Sequence, residues 1–140
     1  MAFTGNYSCN TLRSGLVDGT INFSTSTFYL ALYTNTATLN AQTTAYDSAG
    51  EASGGDYSPG GQLVTATVAS SATFGGSTVY INFSSPSWTG EITARGALIY
   101  TPGTNGAVCV LDFGSNKTSS STFTVQMPAD TSTSALIRLV

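Results

Sequence analysis

The stretch from Phe28 to Gly61 reads FYLALYTNTATLNAQTTAYDSAGEASGGDYSPGG; it opens on one of the most apolar runs in the chain and closes in its most glycine-rich loop. From Phe28 to Tyr33 the pattern has a period of two. Phe28, Leu30 and Leu32 point one way; Tyr29, Ala31 and Tyr33 point the other. Both sets are apolar, so this strand is expected to be covered on both faces. Thr34 to Thr44 reads as an irregular connection with hydroxyl turns. Tyr46 to Gly61 carries Gly50, Gly54, Gly55, Gly60, Gly61 and Pro59, which leave no room for a regular element. A structureless stretch of that length inside a compact domain is uncommon, and is usually functional or packed on a neighbour.

On either side of this stretch the pattern stays β, with one exception. Ser8 to Asp18 is the only helix candidate: Ser8 can cap it, Cys9, Leu12 and Leu16 share a face, and Gly19 can end it. Downstream, Gln62 to Ala69 places Val64, Ala66 and Val68 on one face, and Thr78 to Ser84 places Val79, Ile81 and Phe83 inside. Glu91 to Tyr100 and Ala107 to Gly114 read as a hairpin around Thr101 to Gly106. Ser121 to Met127 alternates strictly, with Phe123, Val125 and Met127 inward and Pro128 closing it. Thr133 to Val140 reads as a last strand, apolar on both faces. Short strands separated by Gly/Ser/Pro turns predict an all-β single domain over residues 1–140: a β-sandwich, jelly-roll-like, of about eight strands. Residues 1–20 form an N-terminal arm and short helix packing on it.

Charged residues make up only 8% of the chain, whereas Ser and Thr together number 42 of 140. The surface is therefore hydroxyl-rich rather than ionic. Such a surface resists association poorly, so much of it is expected to be covered, by copies of the chain or by a larger particle. Arg13, Arg95, Lys117 and Arg138 are the only basic residues and form no cluster, so no nucleic-acid partner is expected. No apolar run is long enough for a transmembrane helix, so no membrane role is expected. The start, MAFTGNYSCN, lacks the features of a signal peptide. Folding in a reducing cytoplasm is expected, with Cys9 and Cys109 as small buried hydrophobes and a disulfide as the alternative. The chain has no His, which removes Ser-His catalysis and His-ligated metals. No nucleophile elbow, phosphate loop or glycosidase-type acid pair is present. Neither an enzyme nor a cofactor is expected.

Arg95 sits mid-strand in apolar company and needs a carboxylate, because an unpaired buried guanidinium costs several kcal/mol. A hairpin centred on Gly103–Thr104 would set Tyr100 opposite Ala107 and Arg95 opposite Asp112. Glu51, in the glycine loop, is the rival partner. Arg95, Asp112 and Glu51 are thus candidates for a structural ion pair that fixes loop or register, with an inter-subunit pair as the alternative. Asp47, Glu51 and Asp56 crowd one loop, but their spacing does not match a Ca²⁺ loop and no metal is expected. Tyr29, Tyr33, Tyr46, Tyr57, Tyr80, Trp88 and Tyr100 suit a core, a subunit interface or a sugar-stacking surface. Candidate interface residues are Phe3, Tyr7, Tyr29, Tyr33, Tyr57 and Trp88.

The blocks FYLALYT, GEASGGDYSPGG, SWTG, ITARGALIY, AVCVLDFGSNKTSSSTFTVQMP and ALIRLV, in that order, resemble a family of small β-rich structural (virion) proteins of tailed bacteriophages. The resemblance spans nearly the whole chain; the segment Val17 to Phe23 departs from it by a few extra residues. It implies that Glu51 and Arg95 occupy family positions with a structural role. It also implies a capsid decoration or cement protein, made in the host bacterial cytoplasm and carried in the virion. Its partners would be further copies of itself, as a dimer or trimer, and the major capsid protein or another virion protein. The alternatives are an adhesin or fibre-type domain recognising host surface glycans, and a head–tail or tail component.

Overall fold

The computed structural model describes residues 3–70, 78–131 and 134–139. The fold is all-β, with antiparallel sheets and one short helix. The elements in chain order are β1 (Tyr7–Ser8), α1 (Asn10–Asp18), β2 (Phe28–Tyr33), β3 (Gln62–Val64), β4 (Ala66–Ser70), β5 (Val79–Phe83), β6 (Ser87–Thr89), β7 (Thr93–Tyr100), β8 (Ala107–Thr118), β9 (Thr122–Thr124) and β10 (Ile137–Leu139). They form a five-stranded sheet β1-β8-β7-β2-β3, a three-stranded sheet β10-β5-β4 and a two-stranded sheet β6-β9. Ten short strands thus replace the eight or so expected among the described residues.

β2 is an inner strand, between β7 and β3, and is covered on both faces because of its sequence. Every residue of it except Tyr29 is buried. Phe28, Leu30 and Leu32 join one core cluster with Phe83, Ile99 and Phe123, supplied by β7 and the two smaller sheets. Ala31 and Tyr33 join a second cluster on the opposite face, with Phe3, Leu39 and Leu98. That face is covered by the N-terminal residues and the irregular segment after β2. A fully buried Leu or Phe contributes roughly 1.5–3 kcal/mol, so a strand that buries both faces anchors the sheet.

The hairpin β7–β8 forms as expected, with Tyr100 opposite Ala107, and Phe123, Val125 and Met127 are buried. Elsewhere the sequence reading needs correction. Ser8 does not cap α1; it lies in β1, and Cys9 holds the N-cap position without a side-chain capping bond. Gly19 ends the helix in the left-handed region, at φ +82°. Leu16 is about a third exposed (37%), because Gly15 and Leu12 take the packing face and Ile21 lies against Gly15. The run Gln62 to Ala69 breaks at Thr65, whose carbonyl accepts from Ser84 N–H and whose N–H donates to the Ser84 hydroxyl, and the chain passes there from the first sheet to the second. Past that break Val68 is half exposed, and Val79 opposite this end of the sheet is also open. The last strand is an edge: Ile137 is half-buried, whereas Arg138 and Leu139 face outward. Thr133 and Val140 lie outside the described residues. Cys9 and Cys109 are buried free thiols. Burial pushes the Cys9 thiol up to about 11, against a smaller opposite pull from Arg13. It raises the Cys109 thiol further, with Cys9 adding to the effect.

Candidate functional site

The most organised polar cluster is built where the glycine loop meets β2. The loop runs along the edge of β2 beyond β3. Glu51 bridges Tyr33, Thr34 N–H donates to Gly50 O (2.8 Å), and Ala52 N–H donates to Leu32 O (2.9 Å). Between these points and β3 the strand backbone has no partner strand, and a side chain fills the gap: Leu32 N–H donates to the Tyr57 hydroxyl at 2.9 Å. Gly61 is then pressed onto β2 so closely that a Cβ there would sit 1.8 Å from Leu30 O. Only glycine fits, and its φ of +82° demands glycine as well.

The Glu51 carboxylate closes the arrangement. It accepts from the Tyr46 hydroxyl (2.6 Å), the Tyr57 hydroxyl (2.6 Å) and Gly60 N–H (2.7 Å). Tyr33 donates to Asp47 O (2.7 Å) and Tyr100 to Gly60 O (2.7 Å). Tyrosine hydroxyls thereby tie the loop to the sheet at Asp47, Tyr57 and Gly60, and the Glu51 carboxylate cross-links the loop to itself. Burial raises the Tyr57 and Tyr46 hydroxyls well above the usual tyrosine range, and the bond to Glu51 raises them further. Tyr100 is pushed up to about 12, first by burial and then by the Glu51 charge. These hydroxyls stay protonated and donate.

Tyr29 extends the cluster: Tyr29, Tyr100 and Tyr46 stack in a row, with centroids 5.9 and 5.0 Å apart and planes tilted by 27° and 17°. Their edges, with Pro59, Gly60, Gly61, Pro102 and Gly103, line a cleft of about 380 Å³.

Arg95 finds Asp112, at 3.1 Å between Nη1 and Oδ1. Nη1 makes no hydrogen bond of good geometry, so the contact is chiefly one of charge. The expected register is off by one: Gly96, not Arg95, lies opposite Asp112, because the β7–β8 ladder is irregular between Ala94 and Gly96. That irregularity turns Arg95 over the Phe3 ring, 5.7 Å from its centroid. Glu51 does not compete for Arg95; its lone pairs are taken by the two tyrosines and Gly60. Asp47 and Asp56 are also used separately, accepting from Ala49 N–H and Thr89 N–H. Among the described residues no three Asp, Glu, Cys or His are grouped to hold a metal ion.

Three of the proposed interface residues are core residues instead. Phe3, Tyr33 and Trp88 are 1%, 1% and 4% exposed. An aromatic side chain with a sheet face beside it buries itself in its own chain first. Tyr7, Tyr29 and Tyr57 are half-buried; Tyr7 pairs through β1 with Val110, and Tyr57 belongs to the Glu51 cluster. Tyr29 lines the tyrosine cleft, and Tyr7 lines a smaller one beside β1. Sequence reasoning missed Pro59 and Pro102 as cleft residues. Pro-Gly pairs at 59–60 and 102–103 mark both turns, but nothing in their spacing says that the turns meet. Among the described residues no helix is long and apolar enough to cross a membrane. Comparison with protein families, with curated proteins and with solved structures finds no match for this chain.

Proposed function

We propose that the chain is a structural protein of a phage virion, of the capsid decoration or cement type, which binds the assembled head and stabilises it. The observation that carries this reading is a surface suited to being covered. It is hydroxyl-rich with few charges, and Leu63, Val68 and Leu139 stand about half exposed around the outer strands. Binding only the assembled shell stabilises that state by mass action. On this reading the fold is a β-sandwich of jelly-roll type. The two smaller sheets covering one face of the five-stranded sheet support it. The partners are further copies of the chain and the major capsid protein, and the protein resides in the virion.

The test is made on purified particles. A copy number comparable with that of the major capsid protein is expected, and heads lacking the protein should lose their contents at lower temperature. Intact, heat-stable heads without it would refute the reading. The tyrosine cleft favours one second reading, an adhesin domain that stacks host glycans on Tyr29. Loss of adsorption with unchanged head stability would select it.

A further inference from the structure

The chain blocks several of its exposed strand edges with side chains. On the outer edge of β6, Ser87 exchanges bonds with the Gln62 amide (3.0 and 3.2 Å), and Thr89 exchanges bonds with Asp56 (2.8 and 2.9 Å). On the outer edge of β8, Asn6 takes the N–H of Asp112 and the Asp112 side chain takes that of Gly114. Beyond Gly114 this stops.

Ladder parity shows which backbone groups are then left open. Gly90 N–H donates to Ser121 O, and Val125 N–H donates to Pro86 O. Residues 121, 123 and 125 therefore turn their backbone toward β6, and Thr122, Thr124 and Gln126 turn theirs away. Likewise Ser119 N–H donates to Ile92 O, so Lys117 faces Ala94 while Asn116 and Thr118 face outward. No described residue meets any of these outward groups.

These open stretches flank one groove of about 460 Å³, lined by Phe113, Lys117, Thr118 and residues 122–126. Its floor is apolar: Phe113 and Phe123 lie 6.2 Å apart and tilted by 45°. Its rim carries Lys117, which is exposed and makes no ion pair among the described residues. The open edge of β9 with Gln126 spans roughly 16 Å at strand rise.

We propose that the groove between β8 and β9 is a docking site for an extended segment of another protein. That segment adds as a strand along residues 122–126, sets an apolar side chain against Phe113 and Phe123, and places a carboxylate at Lys117. Unpaired backbone supplies affinity in such strand addition, and alternate side chains supply specificity. A carboxylate is the group that an unpartnered exposed lysine selects. This inference goes beyond the virion reading and does not depend on it.

The test uses the full chain and a fluorescent, end-blocked hexapeptide of sequence Thr-Val-Asp-Val-Thr-Val. Saturable binding is expected, and N-methylating alternate peptide amides should weaken it at least about tenfold by removing two edge bonds. Thr124→Pro, which deletes an outward N–H without touching the β6 ladder, should weaken binding by a similar factor. Lys117→Glu should also weaken it and reverse its salt dependence. If Thr124→Pro does not fold, the methylated peptide and Lys117→Glu decide. No saturation up to about 1 mM peptide, or equal affinity for the methylated peptide, overturns the proposal. So does a dimer that Thr124→Pro converts to monomer with no peptide bound, since the occupant is then a second copy.

Discussion

Replacing Glu51 with alanine removes one carboxylate and strands three donors at once. The Tyr46 hydroxyl, the Tyr57 hydroxyl and Gly60 N–H lose acceptors at 2.6, 2.6 and 2.7 Å. A hydrogen bond to a charged group is worth roughly 1.5–3 kcal/mol. The three are not additive, because water enters a half-buried site once the side chain is gone and relieves part of the loss. A total near 3 kcal/mol is therefore expected, about 10 °C in Tm for a domain of this size. Glu51→Gln keeps one acceptor oxygen and turns an NH₂ toward donors, so it should fall between alanine and the parent. Thermal and urea unfolding at neutral pH, followed by circular dichroism, gives the global value. Amide exchange gives the local one: the amides of Leu32, Ala52 and Gly60 should lose protection before the β7–β8 amides do. A Glu51→Ala protein melting within about 1 °C of the parent, the range of an ordinary surface substitution, would refute the clamp.

Two further outcomes follow from the same structure. Arg95→Ala removes the charge contact with Asp112 and the cation over Phe3; a loss of about 2 kcal/mol is expected, with Phe3 becoming accessible to quenching or proteolysis of the N-terminal residues. The alkaline limb of the stability profile is set by tyrosine and thiol. Tyr100 ionises near 10 when unfolded and is pushed up to about 12 when folded, so the folded state holds its proton more tightly. The resulting stability is complete below pH 10 and is lost as pH rises from 10 toward 12. Cys9 behaves alike between 9 and about 11. Absorbance titration should show the buried tyrosines ionising together with unfolding, and free titration of all seven near pH 10 would contradict their burial.

What the residues disclose and what they hide divide along physical lines. β2 is legible because two apolar sets at period two have a single interpretation, a strand covered on both faces. Phe123, Val125 and Met127 are legible for the same reason with one face. The Glu51 cluster is hidden because its partners lie in a loop, where no periodicity relates residue 51 to residues 46, 57 and 60. A carboxylate near Arg95 and a carboxylate among tyrosine hydroxyls satisfy the same electrostatic need, and only the path of the loop decides. The Arg95–Asp112 pair could be named, but its register could not. The ladder is irregular between Ala94 and Gly96, beside the point where a Cβ at Gly96 would meet the Phe3 ring at 2.4 Å, and nothing in the pattern of residues marks it. Phe3, Tyr33 and Trp88 show that aromatic character alone does not tell an inner face from an outer one.

The two cysteines carry a consequence for where this protein can work. Thiolate is the form that oxidises and exchanges disulfides, and both thiols are shielded, with burial holding them protonated at neutral pH. Neither contributes a bond that reduction would break, and neither offers a sulfur that oxidation readily reaches. Reduction therefore leaves the covalent structure of the folded chain unchanged, and burial slows attack on both sulfurs.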